Sequence, residues 1–158
     1  MSNSDQIAQS DDLVRPIIRE DLPAVATLIA ALAHHHDDRP GIDLAHLEDD
    51  LFGSTPWIHA IVAQQSGAIV GYAIMIPRYR AQFTQRGWDM HHLFVQSHLR
   101  GQGVGRRLVD AVIDHARQTR CSFLVVATAA GNLQAQAFYR GLGFEPRGET
   151  GQIFEMRL

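Results

Sequence analysis

The chain contains no lysine; all fourteen of its Lys and Arg positions are arginine. A lysine Schiff base and a P-loop lysine are thereby excluded, because neither chemistry has its residue. Cysteine is nearly absent as well. Cys121 stands alone, so no intramolecular disulfide can form and no cysteine-based zinc site can be completed. There is no apolar run of about 18 residues to span a bilayer. Residues 1–12 are polar and acidic, unlike a secretory signal. An excess of positive charge is also missing: the formal net charge is −3, which argues against general attraction to a phosphate backbone. No nucleic-acid-reading motif is present. The expectation is a cytoplasmic protein with neither a membrane nor a nucleic acid as partner.

What is present suits a folded domain. Of 158 residues, 46% are hydrophobic and 20% charged, which is enough for a core without staples and fits one domain. Residues 1–12 lack apolar periodicity and read as a mobile tail, with a single domain over 13–158. A strand is expected over Leu13–Arg19, placed at an edge by Pro16. Pro23 opens a helix carrying Val25, Leu28, Ile29 and Leu32 to about Ala33. His34 to Gly41 reads as a polar break, and Asp43 to Phe52 as a second helix stopped by Gly53. Trp57–Gln64 and Ala68–Ile76 form a hairpin through Gln65-Ser66-Gly67. Pro77–Gly87 reads as a loop and Trp88–Gln96 as a further strand. A helix then follows with the stripe Val104, Leu108, Val109, Val112, Ile113 and Ala116. Ser122–Thr128 looks like a strand buried on both faces. Asn132 caps a last helix to Leu142, stopped by Gly143. A closing hairpin over Phe144–Glu149 and Gln152–Arg157 turns at Thr150-Gly151. This order implies an α+β domain, a mixed sheet with helices on both faces.

The most informative stretch is Arg100-Gly101-Gln102-Gly103-Val104-Gly105 between a strand and a helix. Glycines at alternate positions let a ligand approach the backbone, and the helix N-terminus offers its amides to an anion. Arg106 and Arg107 lie in the first helical turn, where cations oppose the helix dipole at about 0.3–1 kcal/mol each. With Arg100 they make sense around a multiply charged anion such as a pyrophosphate. A plain turn with solvated arginines is the alternative. Two other phosphate motifs fail on spacing. A Walker A loop needs Gly-Lys, but Gly105 is followed by Arg106. A dinucleotide fingerprint needs a small last residue where this chain has Arg106 or Leu108.

Arg100 to Gly105 resembles the R/Q-x-x-G-x-G/A signature of the GNAT superfamily of acetyl-CoA-dependent N-acetyltransferases. Asn132, Ala137-Phe138-Tyr139 and Gly143-Phe144 resemble its second motif, and the element order is similar after the tail. Leu51-Phe52, Pro56, His59, Val62-Ala63 and Val70-Gly71-Tyr72 more loosely resemble the diamine (spermidine/spermine-type) branch. The resemblance implies a three-layer α+β fold whose central sheet is mixed, mostly antiparallel, with a splayed fourth strand.

It also implies direct transfer of an acetyl group to an amine in a ternary complex. Arg100, Gly101, Gln102, Gly103, Val104, Gly105 and Arg106 would cradle the pyrophosphate of acetyl-CoA. The backbone of Leu93, Phe94 and Val95 would pair with the pantetheine arm as an added strand, and one of their amides would face the oxyanion. Asn132 and Tyr139, paired in the second motif, would also bind acetyl-CoA, and Tyr139 would protonate the departing thiolate. The base position falls at His91 and His92, where the diamine branch is usually acidic. Imidazole works as a base near neutral pH, and strand alternation sends the two rings to opposite faces. His91 matches the branch's base position and is the expected base; both histidines as structural groups is the alternative.

The loss of the acidic pair weakens a polyamine assignment. Six carboxylates between Asp37 and Asp50 (Asp37, Asp38, Asp43, Glu48, Asp49, Asp50) could draw a cationic amine, although a solvated helix face explains most of them. His34-His35-His36-Asp37-Asp38 carries ligand-type side chains, but consecutive residues rarely converge on one ion, and no metal is expected. The expected function is acetyl transfer to a small amine, polyamine-like or amino-acid-type. A protein or peptide acceptor, and a catalytically silent CoA-binding sensor, are the alternatives. Relatives are often homodimers, which the resemblance carries over.

Overall fold

A computed structural model describes residues 12–36, 38–148 and 153–157. The chain divides into two compact units, Met1–Ala127 and Thr128–Leu158. The first holds five strands: β1 (Leu13–Pro16), β2 (His59–Gln65), β3 (Ala68–Arg80), β4 (Gln85–Val95) and β5 (Phe123–Val125). They form one sheet in chain order, antiparallel except for the parallel β4–β5 pair. Its helices are α1 (Leu22–His35), α2 (Leu44–Phe52) and α3 (Val104–Gln118). The second unit holds α4 (Leu133–Gly141).

Register shows which side chains each face of the sheet receives. Ala60 pairs with Ile74, Val62 with Tyr72, and Tyr72 with Phe94. These side chains share one buried cluster with Val25 and Leu28 of α1 and Leu51 of α2. The opposite face takes α3. Gly71 lies under it so closely that a Cβ there would sit 3.2 Å from Leu108 Cδ1 and 2.8 Å from the Phe94 carbonyl. Helices therefore cover both faces, as the continuous apolar runs along β2 and β3 require.

Local chemistry explains the element ends. Pro16 sits at the end of edge strand β1, where a missing N–H is tolerated. The strand is held down by Arg15, which donates from Nη1 and Nη2 to Asp21 at 2.6 and 2.9 Å and from Nη2 to Gln64 at 2.8 Å. The Arg15 hydrogen bonds hold the Asp21 carboxyl below its ordinary range, helped by the Ile18 N–H. Asp43 caps α2, accepting from the amides of Ala45 and His46.

Four expectations are corrected. Helix α1 extends two residues into the expected break, to His35. Pro77–Gly87 is mostly not loop: β3 runs to Arg80, a 3-10 turn spans Ala81–Phe83, and β4 starts at Gln85. Pro77 is admitted there because β2 ends its pairing at Met75, leaving β3 an open edge beyond it. The strand expected over Ser122–Thr128 is only Phe123–Val125 and is half-buried, because among the described residues it pairs on one side alone. The closing hairpin is not seen in its described flanks, Phe144–Gly148 and Ile153–Arg157, which carry no strand; its turn at Thr150-Gly151 lies outside the described residues. So does the expected tail up to Asp11. No helix among the described residues is long and apolar enough to cross a membrane.

Candidate active site

The glycine turn has the shape its sequence suggested. Gly101 and Gly103 adopt φ +76° and +84°, the left-handed region where glycine carries no Cβ penalty. A Cβ added at either would meet no protein atom within 4 Å, so the backbone faces open space there. Gly103 caps α3 without a side-chain hydrogen bond, and the first helical bond it accepts comes from the Arg107 N–H. The amides of Val104, Gly105 and Arg106 therefore lack partners in the helix. These donors can receive an anion.

The arginines do not all turn to that space. Arg100 donates from Nε to the Val95 carbonyl at 3.0 Å, with its guanidinium 5.5 Å from the Phe94 ring centroid. Gln102 donates to the His98 carbonyl at 3.1 Å. Both side chains brace the turn. Arg106 is exposed, with Asp110 at 3.8 Å, and Arg107 has Asp12 at 3.8 Å.

Beside this turn, β4 has an open edge. β5 pairs with it over Gly87–Asp89, while Met90 to Val95 have no β5 partner among the described residues. This is the splay. The Phe94 carbonyl lies toward β3, against Gly71. Alternation then turns the backbone groups of Leu93 and Val95 to the open edge, where Arg100 already occupies the Val95 oxygen.

The same strand carries a bulge. Ile74 pairs with His92 but Met75 pairs with Met90, so His91 is the extra residue. The expectation that His91 and His92 occupy opposite faces is overturned for this reason. Their rings stack, with centroids 4.7 Å apart and planes 10° apart. His91 is exposed and His92 half-buried. The Tyr72 hydroxyl lies 3.3 Å from His92 Nδ1. That phenol is fully buried and has no other partner among the described residues. Its O–H therefore donates to Nδ1, leaving the ring proton of His92 on Nε2. Burial, then His91 and His36, push the His92 pKa down, while burial raises that of Tyr72. In the sequence Tyr72 appears only within the loose diamine-branch resemblance, with no role of its own.

In the second unit, the Asn132 side chain accepts from the Ala135 N–H at 3.0 Å and caps α4. Tyr139 lies on that helix with Phe138 and Phe144 edge-on at 5.2 and 5.5 Å. Burial pushes its phenol up to about 12.

Two of the six acids that could draw a cationic amine are in structural use. Asp43 is the α2 cap, and Glu48 accepts from Arg19 at 2.7 Å. Asp37 lies outside the described residues. His35 and His36 meet edge-on at 5.5 Å, and no group of three or more potential metal ligands converges among the described residues.

The sequence model of the acetyltransferase (GNAT) family matches residues 24–144. The chain belongs to the GNAT family. An IAA acetyltransferase of Azospirillum brasilense is 33% identical over 81% of this chain and 81% of its own. A thialysine N-epsilon-acetyltransferase of Bos taurus is 28% identical over 83% of this chain and 82% of its own. Among solved structures, a probable acetyltransferase superposes with a TM-score of 0.80 at 20% identity, covering 92% of this chain and 98% of that one, which speaks for the fold. This GNAT chain is an acyltransferase, and GNAT acetyltransferases use acetyl-CoA as cosubstrate.

Proposed function

We propose that the chain transfers the acetyl group of acetyl-CoA to the primary amine of a small molecule by direct attack with both substrates bound. The observation that carries this reading is the open edge of β4 beside the unpartnered amides of the glycine turn. Together they supply a strand edge for an amide-bearing arm and a donor cluster for its pyrophosphate. Acetyl-CoA supplies the activated thioester.

The residues divide the work as follows. The backbone from Arg100 to Arg106 holds the pyrophosphate, and Leu93, Phe94 and Val95 supply the strand. The amide of Leu93 or Val95 faces the developing oxyanion. Exposed His91 takes the amine proton, directly or through one water. Tyr139, a phenol kept protonated by burial, returns a proton to the leaving sulfur. Asn132 sets the helix that carries it. The likeness to the bovine thialysine N-epsilon-acetyltransferase supports a small amine as acceptor. A homodimer in the cytoplasm, with no metal, completes the reading.

The test is thiol release from acetyl-CoA across a panel of amines, run beside calorimetric titration of CoA. Turnover with at least one small amine is expected. A chain that does not bind CoA overturns the reading.

A further inference from the structure

The β3–β4 hairpin continues the sheet face of Tyr72 and His92 outward. The bulge adds its residue to β4 alone, so β3 alternates without interruption from Tyr72 through Ile74 and Ile76 to Arg78 and Arg80. Across from these lie Asp89, paired with Ile76, and Gly87, paired with Arg78. Arg78 reaches Asp89 at 3.2 Å, which confirms the shared face.

Gly87 also pairs with Phe123, whose ring fills the space where a Gly87 side chain would be; a Cβ there would lie 2.2 Å from it. Arg80 stacks on that ring with its guanidinium carbon 3.8 Å from the centroid. Stacking fixes a guanidinium while leaving its in-plane N–H groups outward. Among the described residues Arg80 has no hydrogen-bond or ion-pair partner. Arg78, held by one N–H, keeps further donors in its fork.

Building on the acetyl-transfer reading above, we infer that the acceptor carries a carboxylate as well as its amine, and that Arg78 and Arg80 receive that carboxylate. Arg78 is four residues from Ile74, the partner of His92, so its Cα lies within about 13 Å of the base position along the strand. An arginine side chain closes much of that span, which suits an amino acid whose reacting nitrogen is a few bonds from its carboxylate. Charge points the same way. Asp89 is already matched by Arg78, so Arg80 leaves the face one positive charge in excess. A polyamine would meet repulsion there, while a carboxylate would complete the set.

The experiment compares acceptors that differ only in the carboxylate: lysine against cadaverine, ornithine against putrescine, and a neutral α-amino acid against its decarboxylated amine. Steady-state thiol release gives kcat and KM for each. The carboxylated member of a pair is expected to have a KM lower by about tenfold or more, as a charged hydrogen bond provides. Arg80→Gln and Arg78→Gln should each bring the ratio within the pair toward one. A variant that is merely misfolded lowers both members alike and leaves the ratio, so an unchanged ratio in both variants overturns the proposal. Turnover confined to amines without a carboxylate also overturns it and leaves acetyl transfer standing. No thiol release across the whole panel overturns both.

Discussion

The rings of His91 and His92 lie 4.7 Å apart and 10° from parallel, stacked although adjacent in a strand. Only a bulge permits this, because in a regular strand neighbouring side chains leave by opposite faces. The stack couples an exposed imidazole to one fixed from behind by Tyr72.

Replacing Tyr72 with phenylalanine tests that coupling. The His92 Nδ1 atom loses its donor, at a cost of about 1–3 kcal/mol in stability for a buried group left unpaired. Without that donor the His92 ring is no longer fixed behind His91, so kcat/KM should fall while CoA affinity from calorimetry stays nearly unchanged. If His91 acts without reference to its neighbour, stability falls but kcat/KM stays where it is.

Tyr139→Phe keeps the ring between Phe138 and Phe144 and removes only the hydroxyl. A phenol pushed up to about 12 by burial is protonated throughout the working range, as a proton donor must be. The variant should lose roughly a hundredfold or more in kcat, with CoA affinity from calorimetry nearly unchanged. An unaltered kcat removes Tyr139 as the acid.

At Gly103 the backbone and the ligand make separable demands. Alanine incurs a left-handed strain of about 1–2 kcal/mol at φ +84°, and β-branched valine incurs more. Neither meets protein atoms near the Cβ. Only the larger side chain fills the space in front of the amides. Gly103→Val should therefore lose CoA binding while still folding, with a melting temperature below that of Gly103→Ala, which keeps binding CoA. Normal CoA affinity in the valine variant would place the pyrophosphate elsewhere.

The sequence made the glycine turn readable because its function demands a backbone conformation that glycine alone adopts easily, at Gly101 and Gly103. The α4 cap at Asn132 and the edge position of Pro16 were legible for similar local reasons. The errors came from partners that a single segment does not reveal. Pro77 and the arginines after it look like a loop until β2 is known to stop at Met75. Ser122–Thr128 has the composition of a buried strand, but the splay of β4 leaves β5 three residues to pair with. The bulge at His91 exists only as a mismatch of register between β3 and β4, so no reading of period two along β4 could find it. Tyr72 was missed for the same reason, since its importance lies in what it faces.

A second histidine cluster, away from the glycine turn, makes the protein sensitive to acid. His59 and His115 sit with Trp88 between β2, β4 and α3, ring centroids 4.8 to 5.7 Å apart. The Trp88 indole donates to Thr119 at 2.9 Å, and His115 Nε2 is buried without a partner among the described residues. Burial lowers the pKa of both histidines, and for His115 the neighbouring His59 lowers it further. Burial also leads the downward shift at His92. A histidine with a depressed folded pKa contributes stability that is present above its unfolded value, about 6.5, and is lost as pH falls through the folded one. All three act in the same direction, so the melting temperature should fall between about pH 7 and pH 5. His115→Phe keeps a ring against Trp88 and cannot take up a proton. It should lessen that fall, whereas an identical acid slope in the variant would exclude this cluster as its source.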